Sequence, residues 1–154
     1  DIYAQFYIGN ILKEQGDNDG AREKFNKVLT ISPDYSWAYF NLAAIDYEEG
    51  DTNSAIENLE KTLEFNPKDI DAYETYAKIL TKEKKYDNAA VIIEQALDNC
   101  SANGDLFYIL AQIQKLRNDR EEFVKNMTEA MKYYTSLSVS PKAVKKELDK
   151  FLNK

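Results

Sequence analysis

Carboxylates are the first residues in this chain with chemistry to offer, because the sequence contains no histidine. That absence removes the commonest general base near neutral pH and the commonest zinc ligand. Glu48/Glu49 and Glu121/Glu122 are adjacent on segments of helical spacing, where neighbours diverge by roughly 100°. They read as solvated faces, not as pairs converging on one substrate. Cys100 is the one cysteine. It has no histidine to activate it, cannot form an internal disulfide and does not distinguish a reducing from an oxidising compartment. The five glycines form neither a dinucleotide fingerprint nor a phosphate loop, since both need clustered glycine after a strand. Asp17, Asp19 and Gly20 imitate part of a calcium loop, but Gln15 and Asn26 would occupy its first and last ligand positions. The segment reads instead as a hairpin turn with acids at a helix N-terminus. Asn99-Cys100-Ser101 and Asn126-Met127-Thr128 satisfy the glycosylation rule, but helical spacing puts Asn126 inside a packed helix. No catalytic residue, metal ligand or cofactor is expected.

Composition narrows the partner. A formal charge of −7 over 154 residues repels phosphate backbones and anionic lipid surfaces, and the lysines are scattered among acids. Nucleic acid is not expected as a ligand. No apolar run approaches the roughly 18 residues of a membrane-spanning helix, and no signal sequence opens the chain. The expected compartment is the cytoplasm. The first residue is Asp1, and a helical pattern begins at once without an evident cap. This leads us to expect removed upstream sequence, through which an extracytoplasmic or membrane-tethered location stays open.

The elements that position these residues follow one period. Ile11, Ile45, Ile79 and Ile113 are 34 residues apart, as are Leu29, Leu63, Leu97 and Met131, and Ile8, Leu42, Tyr76 and Leu110. Small residues keep the step at Gly9, Ala43, Ala77 and Ala111, and again at Ala21, Ala55 and Ala89. Several series with one period mark a repeat architecture. Within each unit the apolar residues have helical spacing on two faces, Ile8, Ile11 and Leu12, then Ala21, Phe25, Val28 and Leu29. Each unit is therefore two helices. Gly16 and Gly50 end the first helix, and Pro33 and Pro67 stop the second. Lys84 and Asn118 replace the glycine in later units, and Ser101 and Thr135 replace the proline, so looser ends are expected there. Gly9 and Ala21 let the two helices of a hairpin approach closely.

This pattern, with Tyr39, Leu42, Ala43, Gly50, Ala55, Leu59 and Pro67 in the second unit, resembles the tetratricopeptide repeat. The resemblance implies an all-α, right-handed α-solenoid within one domain, residues 1–154. It has four helix-turn-helix repeats, approximately 2–35, 36–69, 70–103 and 104–137. Gln5 departs from the family's usual large aromatic. Phe123 departs from its small alanine, which is expected to open unit four. Ser140 and Pro141 then start a capping helix, 140–153, whose apolar stripe is Val144, Leu148, Phe151 and Leu152.

In that family first helices line a concave groove that binds other proteins, which implies a scaffold or adaptor. The second, fifth, ninth and twelfth places of each first helix give Tyr3, Phe6, Asn10 and Lys13, then Trp37, Phe40, Ala44 and Tyr47. Units three and four give Asp71, Glu74, Lys78 and Thr81, then Asp105, Tyr108, Gln112 and Lys115. Aromatics such as Trp37 are the expected anchors, the alternative being that they pack between neighbouring helices. A subclass that grips acidic carboxyl-terminal tails uses two asparagines and three cations. Asn10 and Asn41 match its amides, but Phe6, Asp71 and Thr75 stand where its cations belong, which argues against that activity. The acids favour a helix or extended segment bearing apolar and basic side chains. Self-association into a homo-oligomer, through repeat stacking, is the second expectation.

Overall fold

A computed structural model describes residues 1–153. Among them are nine α-helices and no strand: α1 (Ile2–Glu14), α2 (Asn18–Ile31), α3 (Ser36–Glu48), α4 (Thr52–Phe65), α5 (Ile70–Lys82), α6 (Tyr86–Asn99), α7 (Gly104–Leu116), α8 (Arg120–Lys132) and α9 (Pro141–Leu152). One 3₁₀ turn, Tyr134–Ser136, joins α8 towards α9. The first eight helices follow one another in pairs, each pair joined by a three-residue turn. Contacts gather the chain into two compact units, Asp1–Ala72 and Tyr73 onward.

The turn inside each hairpin repeats at the level of hydrogen bonds. Asp17 N–H donates to Leu12 O and Gly16 N–H to Lys13 O, and equivalent pairs run from Asp51 and Gly50, Lys85 and Lys84, and Asp119 and Asn118. This is the glycine-type C-terminal closure, which needs a left-handed residue. Gly16 and Gly50 supply it at φ 83°, and Lys84 and Asn118 adopt it at 61° and 60°. The looser ends expected of the later hairpins are therefore not found at these turns. Stacking enforces the closure, and the lysine bears a backbone cost of about 1–2 kcal/mol. Asp17, Asp51 and Asp119 then cap the second helices through their side chains. Lys85, at the same place, makes no side-chain cap. The first helix is capped after all, since Asp1 accepts from Tyr3 N–H at 3.0 Å.

Core packing in the first unit joins Phe6, Ala21, Phe25 and Val28 to Ala38, Leu42 and Ile45. Gly9 is small for a specific reason: a Cβ there would lie 2.7 Å from Phe25 Cε1. The same two repeat positions hold Ala43 with Leu59, Ala77 with Ile93 and Ala111 with Met127, all buried. The largest side chain is thus matched with the smallest, keeping the volume of the pair nearly constant. In the second unit Phe123, fully buried, meets the Phe151 ring at 4.3 Å and joins Met127, Val144 and Leu148. The added bulk of unit four is packed under α9.

Candidate functional site

The i, i+3, i+4 and i+7 positions of α1 bring Tyr3, Phe6, Tyr7 and Asn10 to one face. The short connection to α3 sets Tyr35, Trp37, Phe40 and Asn41 beside them. With the segment Asn66 to Asp71 these residues line a cleft of about 710 Å³. Its floor is a ring cluster: Phe6 lies edge-on to Tyr35 at 5.3 Å and to Trp37 at 6.3 Å, and Tyr3 to Tyr35 at 6.4 Å. Trp37 is 61% exposed, Tyr3 59% and Tyr7 63%. Large aromatics open to this degree and adjacent to one another are what a binding surface requires. Burial, with Tyr3 and Tyr7 adding to it, holds the Tyr35 hydroxyl above its usual range.

The expected residues divide by role. Phe6 is 3% exposed and belongs to the core, because Tyr35 and Trp37 close over it. Trp37, Tyr3 and Phe40 line the cleft, with Asp71 exposed at its rim. Asn41 is committed internally: its Nδ2 donates to Trp37 O at 2.9 Å, and its Oδ1 accepts from Lys13 Nζ at 3.1 Å. Asn10 has an enclosed Oδ1 with no partner. Tyr47, half-buried, is not part of the cleft. Tyr7 and Tyr35 were missed by the place-counting rule, although both stand in the sequence as aromatics flanking the chosen positions.

In the second unit Glu74, Thr75, Lys78 and Thr81 of α5 share a smaller cleft, about 490 Å³, with Tyr108 and Gln112 of α7. The side chains of α7 are also engaged by the chain's own C-terminal segment. Asp105 accepts from Ser138 N–H at 2.6 Å and from its hydroxyl at 2.5 Å. Glu147 of α9 receives Tyr108 Oη at 3.2 Å, Gln112 Nε2 at 3.0 Å and Lys115 Nζ at 3.3 Å. All four inner-face places of the fourth hairpin are therefore engaged by residues 138 and 147. Asp105 and Tyr108, nominated as partner contacts, bind the chain's own C-terminal segment instead. Burial pushes the Glu147 carboxyl up, but hydrogen bonds from Gln112, Lys115 and Tyr108, with the Lys115 charge, leave it below its ordinary value.

Asp46, 4% exposed, is held at 2.6 Å by Arg22 Nη1 and at 2.7 Å by Asn58 Nδ2. Arg22 also reaches Glu49 at 2.7 Å, tying α2, α3 and α4 together. The Asp46 hydrogen bond raises the Arg22 guanidinium further above its usual value against the opposing effect of burial. Both carboxylates thus have structural partners. Asp17 is likewise spent, accepting from Gly20 N–H at 2.9 Å. No group of three or more His, Cys, Asp or Glu among the described residues could hold a metal ion. None of their helices is long and apolar enough to cross a membrane.

Helical hairpins at a fixed step, closed by one turn chemistry and exposing an aromatic first-helix face, define a repeat protein of the interaction class. The family model described as Tetratricopeptide repeat matches residues 12–79 and 46–113. The chain belongs to that family. No curated protein matches it in sequence. A crystal structure of MamA protein is similar over 99% of this chain and 88% of its own, with TM-score 0.71 and 19% identity. MamA from Desulfovibrio magneticus RS-1, residue 41 to its end, covers 99% and 93% at TM-score 0.70 and 16% identity. Pseudomonas aeruginosa pilF covers 96% and 67% at TM-score 0.68 and 19% identity. Likeness at such identities carries the fold, an α-solenoid of stacked hairpins, and nothing more specific.

Proposed function

We propose that this chain is a protein-interaction scaffold whose working surface is the aromatic cleft of the first unit. The observation that carries the reading is Trp37, a large side chain left mostly exposed beside Tyr3 and Tyr7 in a cleft of ligand-binding size. Aromatic anchors of this kind dominate interface energies, with truncation of a strong one costing on the order of 2 kcal/mol or more. Asp71 at the rim favours a polypeptide segment with Lys or Arg beside its apolar anchors. The family's protein-binding character supports this reading, as does the assignment of Asp46 and Glu147 to structural partners.

Affinity capture with the intact protein, run against a Trp37→Ala control, identifies the partner by mass spectrometry. The captured polypeptide should bind the unaltered chain and lose at least about 30-fold in affinity on Trp37→Ala, the equivalent of 2 kcal/mol. Equal binding by both proteins contradicts the proposal. Light scattering across concentration tests the second reading, in which the exposed aromatics meet another copy of this chain.

A further inference from the structure

The smaller cleft lies wholly in the second unit, and its charge runs against that of the chain. Part of its lining is apolar: Ala77 and Ile113 are buried, Ile109 is half-buried and Leu116 is 48% exposed. Along α5 stand Lys78 and Lys82, both exposed, with Glu74 as the one carboxylate among the lining residues. Two ammonium groups against one carboxylate leave the cleft positive on a chain of formal charge −7. The next hairpin shows what this register does when the chain supplies the acid. Gln112 stands 34 residues after Lys78, and its Nε2 donates to Glu147 at 3.0 Å beside Tyr108 and Lys115. The residue 34 places before Glu147 is Ile113, which has no carboxylate to offer. No acid among the described residues pairs with Lys78.

We infer that the cleft between α5 and α7 is a docking site for a polypeptide segment carrying a glutamate or aspartate side chain next to a leucine-sized apolar one. The carboxylate meets Lys78, and the apolar side chain lies on Ile109 and Leu116. At about 490 Å³ the cleft is within the size range of ligand sites. Glu74, Lys78 and Lys82 follow one another at one-turn spacing on α5, so all three share a face. Glu74 repels an acid at its end, which places the guest carboxylate between Lys78 and Lys82. The chain's overall negative charge disfavours an acidic segment elsewhere, so this local reversal of sign fixes where and in which register it docks. The group recognised is a side-chain carboxylate, for which Glu147 on Gln112, Tyr108 and Lys115 is the internal precedent.

The probe is the peptide Gly-Leu-Glu-Glu-Leu-Gly, acetylated and amidated so that its only carboxylates are side chains. Titration into the whole chain, followed by amide NMR, should give saturable shifts at Lys78, Ile109 and Leu116. The peptide with Gln in place of both Glu should bind at least fivefold more weakly. Lys78→Glu should weaken the Glu peptide at least tenfold with unchanged circular dichroism, and Trp37→Ala should change it less than twofold. No saturable shift, equal binding by the Gln peptide, or indifference to Lys78→Glu overturns the inference. Shifts centred on Trp37, lost on Trp37→Ala, overturn it by placing the peptide in the other cleft. An oligothymidylate that saturates the same amides more tightly than the peptide overturns it too, because it assigns the lysines to phosphate. Failure here leaves the proposal for Trp37 intact, because Lys78 and Trp37 belong to different units.

Discussion

Gly9→Ala should destabilise the chain by about 1 kcal/mol, although alanine is the better helix former by roughly the same amount. The added methyl would stand 2.7, 3.0 and 3.1 Å from three atoms of the Phe25 ring, well inside the ~3.5 Å at which carbon contacts become favourable. Phe25 is fully buried and packs on Phe6 at 5.7 Å, so its ring has no solvent to retreat into. Overpacking of this kind costs about 1–3 kcal/mol, offset by about 1 kcal/mol of helix propensity. Phe25→Leu alone should cost about 1–2 kcal/mol, less than the 3–5 of a truncation to alanine. The double variant Gly9→Ala/Phe25→Leu recreates the Ala43 and Leu59 pair of the second hairpin and should be at least as stable as Phe25→Leu. Urea unfolding of the four proteins, followed by circular dichroism, gives the cycle. The pair should couple by about 1–2 kcal/mol in the direction that rescues the double variant. Additivity within about 0.5 kcal/mol would refute the size-matching argument.

Three further outcomes follow from the same structure. Lys84→Gly with Lys85→Asp gives the third hairpin the Gly-Asp turn of the first two and should add about 1–2 kcal/mol, seen as a Tm higher by several degrees. Asp46→Asn removes the more buried of the two carboxylates paired with Arg22 and should cost about 1–3 kcal/mol in urea unfolding, below the loss for a fully enclosed pair because Arg22 keeps Glu49 and access to water. Glu147 titrates below its ordinary value in the fold, so its contribution is complete above the unfolded value of about 4.3 and is lost as pH falls through the lower folded value. Unfolding measured against pH should therefore steepen below about pH 4, and Glu147→Gln should flatten that limb.

The hairpins were legible because each fold-determining position recurs every 34 residues, so that errors at one repeat are corrected by the others. Features that do not recur were hidden. The Arg22, Asp46 and Asn58 network occurs once, and its counterparts elsewhere are mostly apolar, so the sequence offers no series from which to infer it. The left-handed Lys84 was hidden for the opposite reason: stacking of the hairpin overrides a local preference that the residue type expresses faithfully. In the cleft, Phe6 and Trp37 were both nominated as groove residues, but Phe6 is enclosed by Phe25, Tyr35 and Trp37 while Trp37 stays open. The engagement of Asp105, Tyr108, Gln112 and Lys115 by Ser138 and Glu147 depends on contacts 32 to 39 residues apart, across an irregular connection that periodicity does not describe.

The chain has a single tryptophan, so the proposed anchor is also the only indole reporter. Titrating the captured partner while recording tryptophan emission, with a tryptophan-free partner segment, tests directly whether the cleft is where the guest polypeptide sits. A saturable blue shift, with protection from an aqueous quencher at the affinity found by calorimetry, is the predicted result. Tight calorimetric binding that leaves the emission and its quenching unchanged would contradict the account.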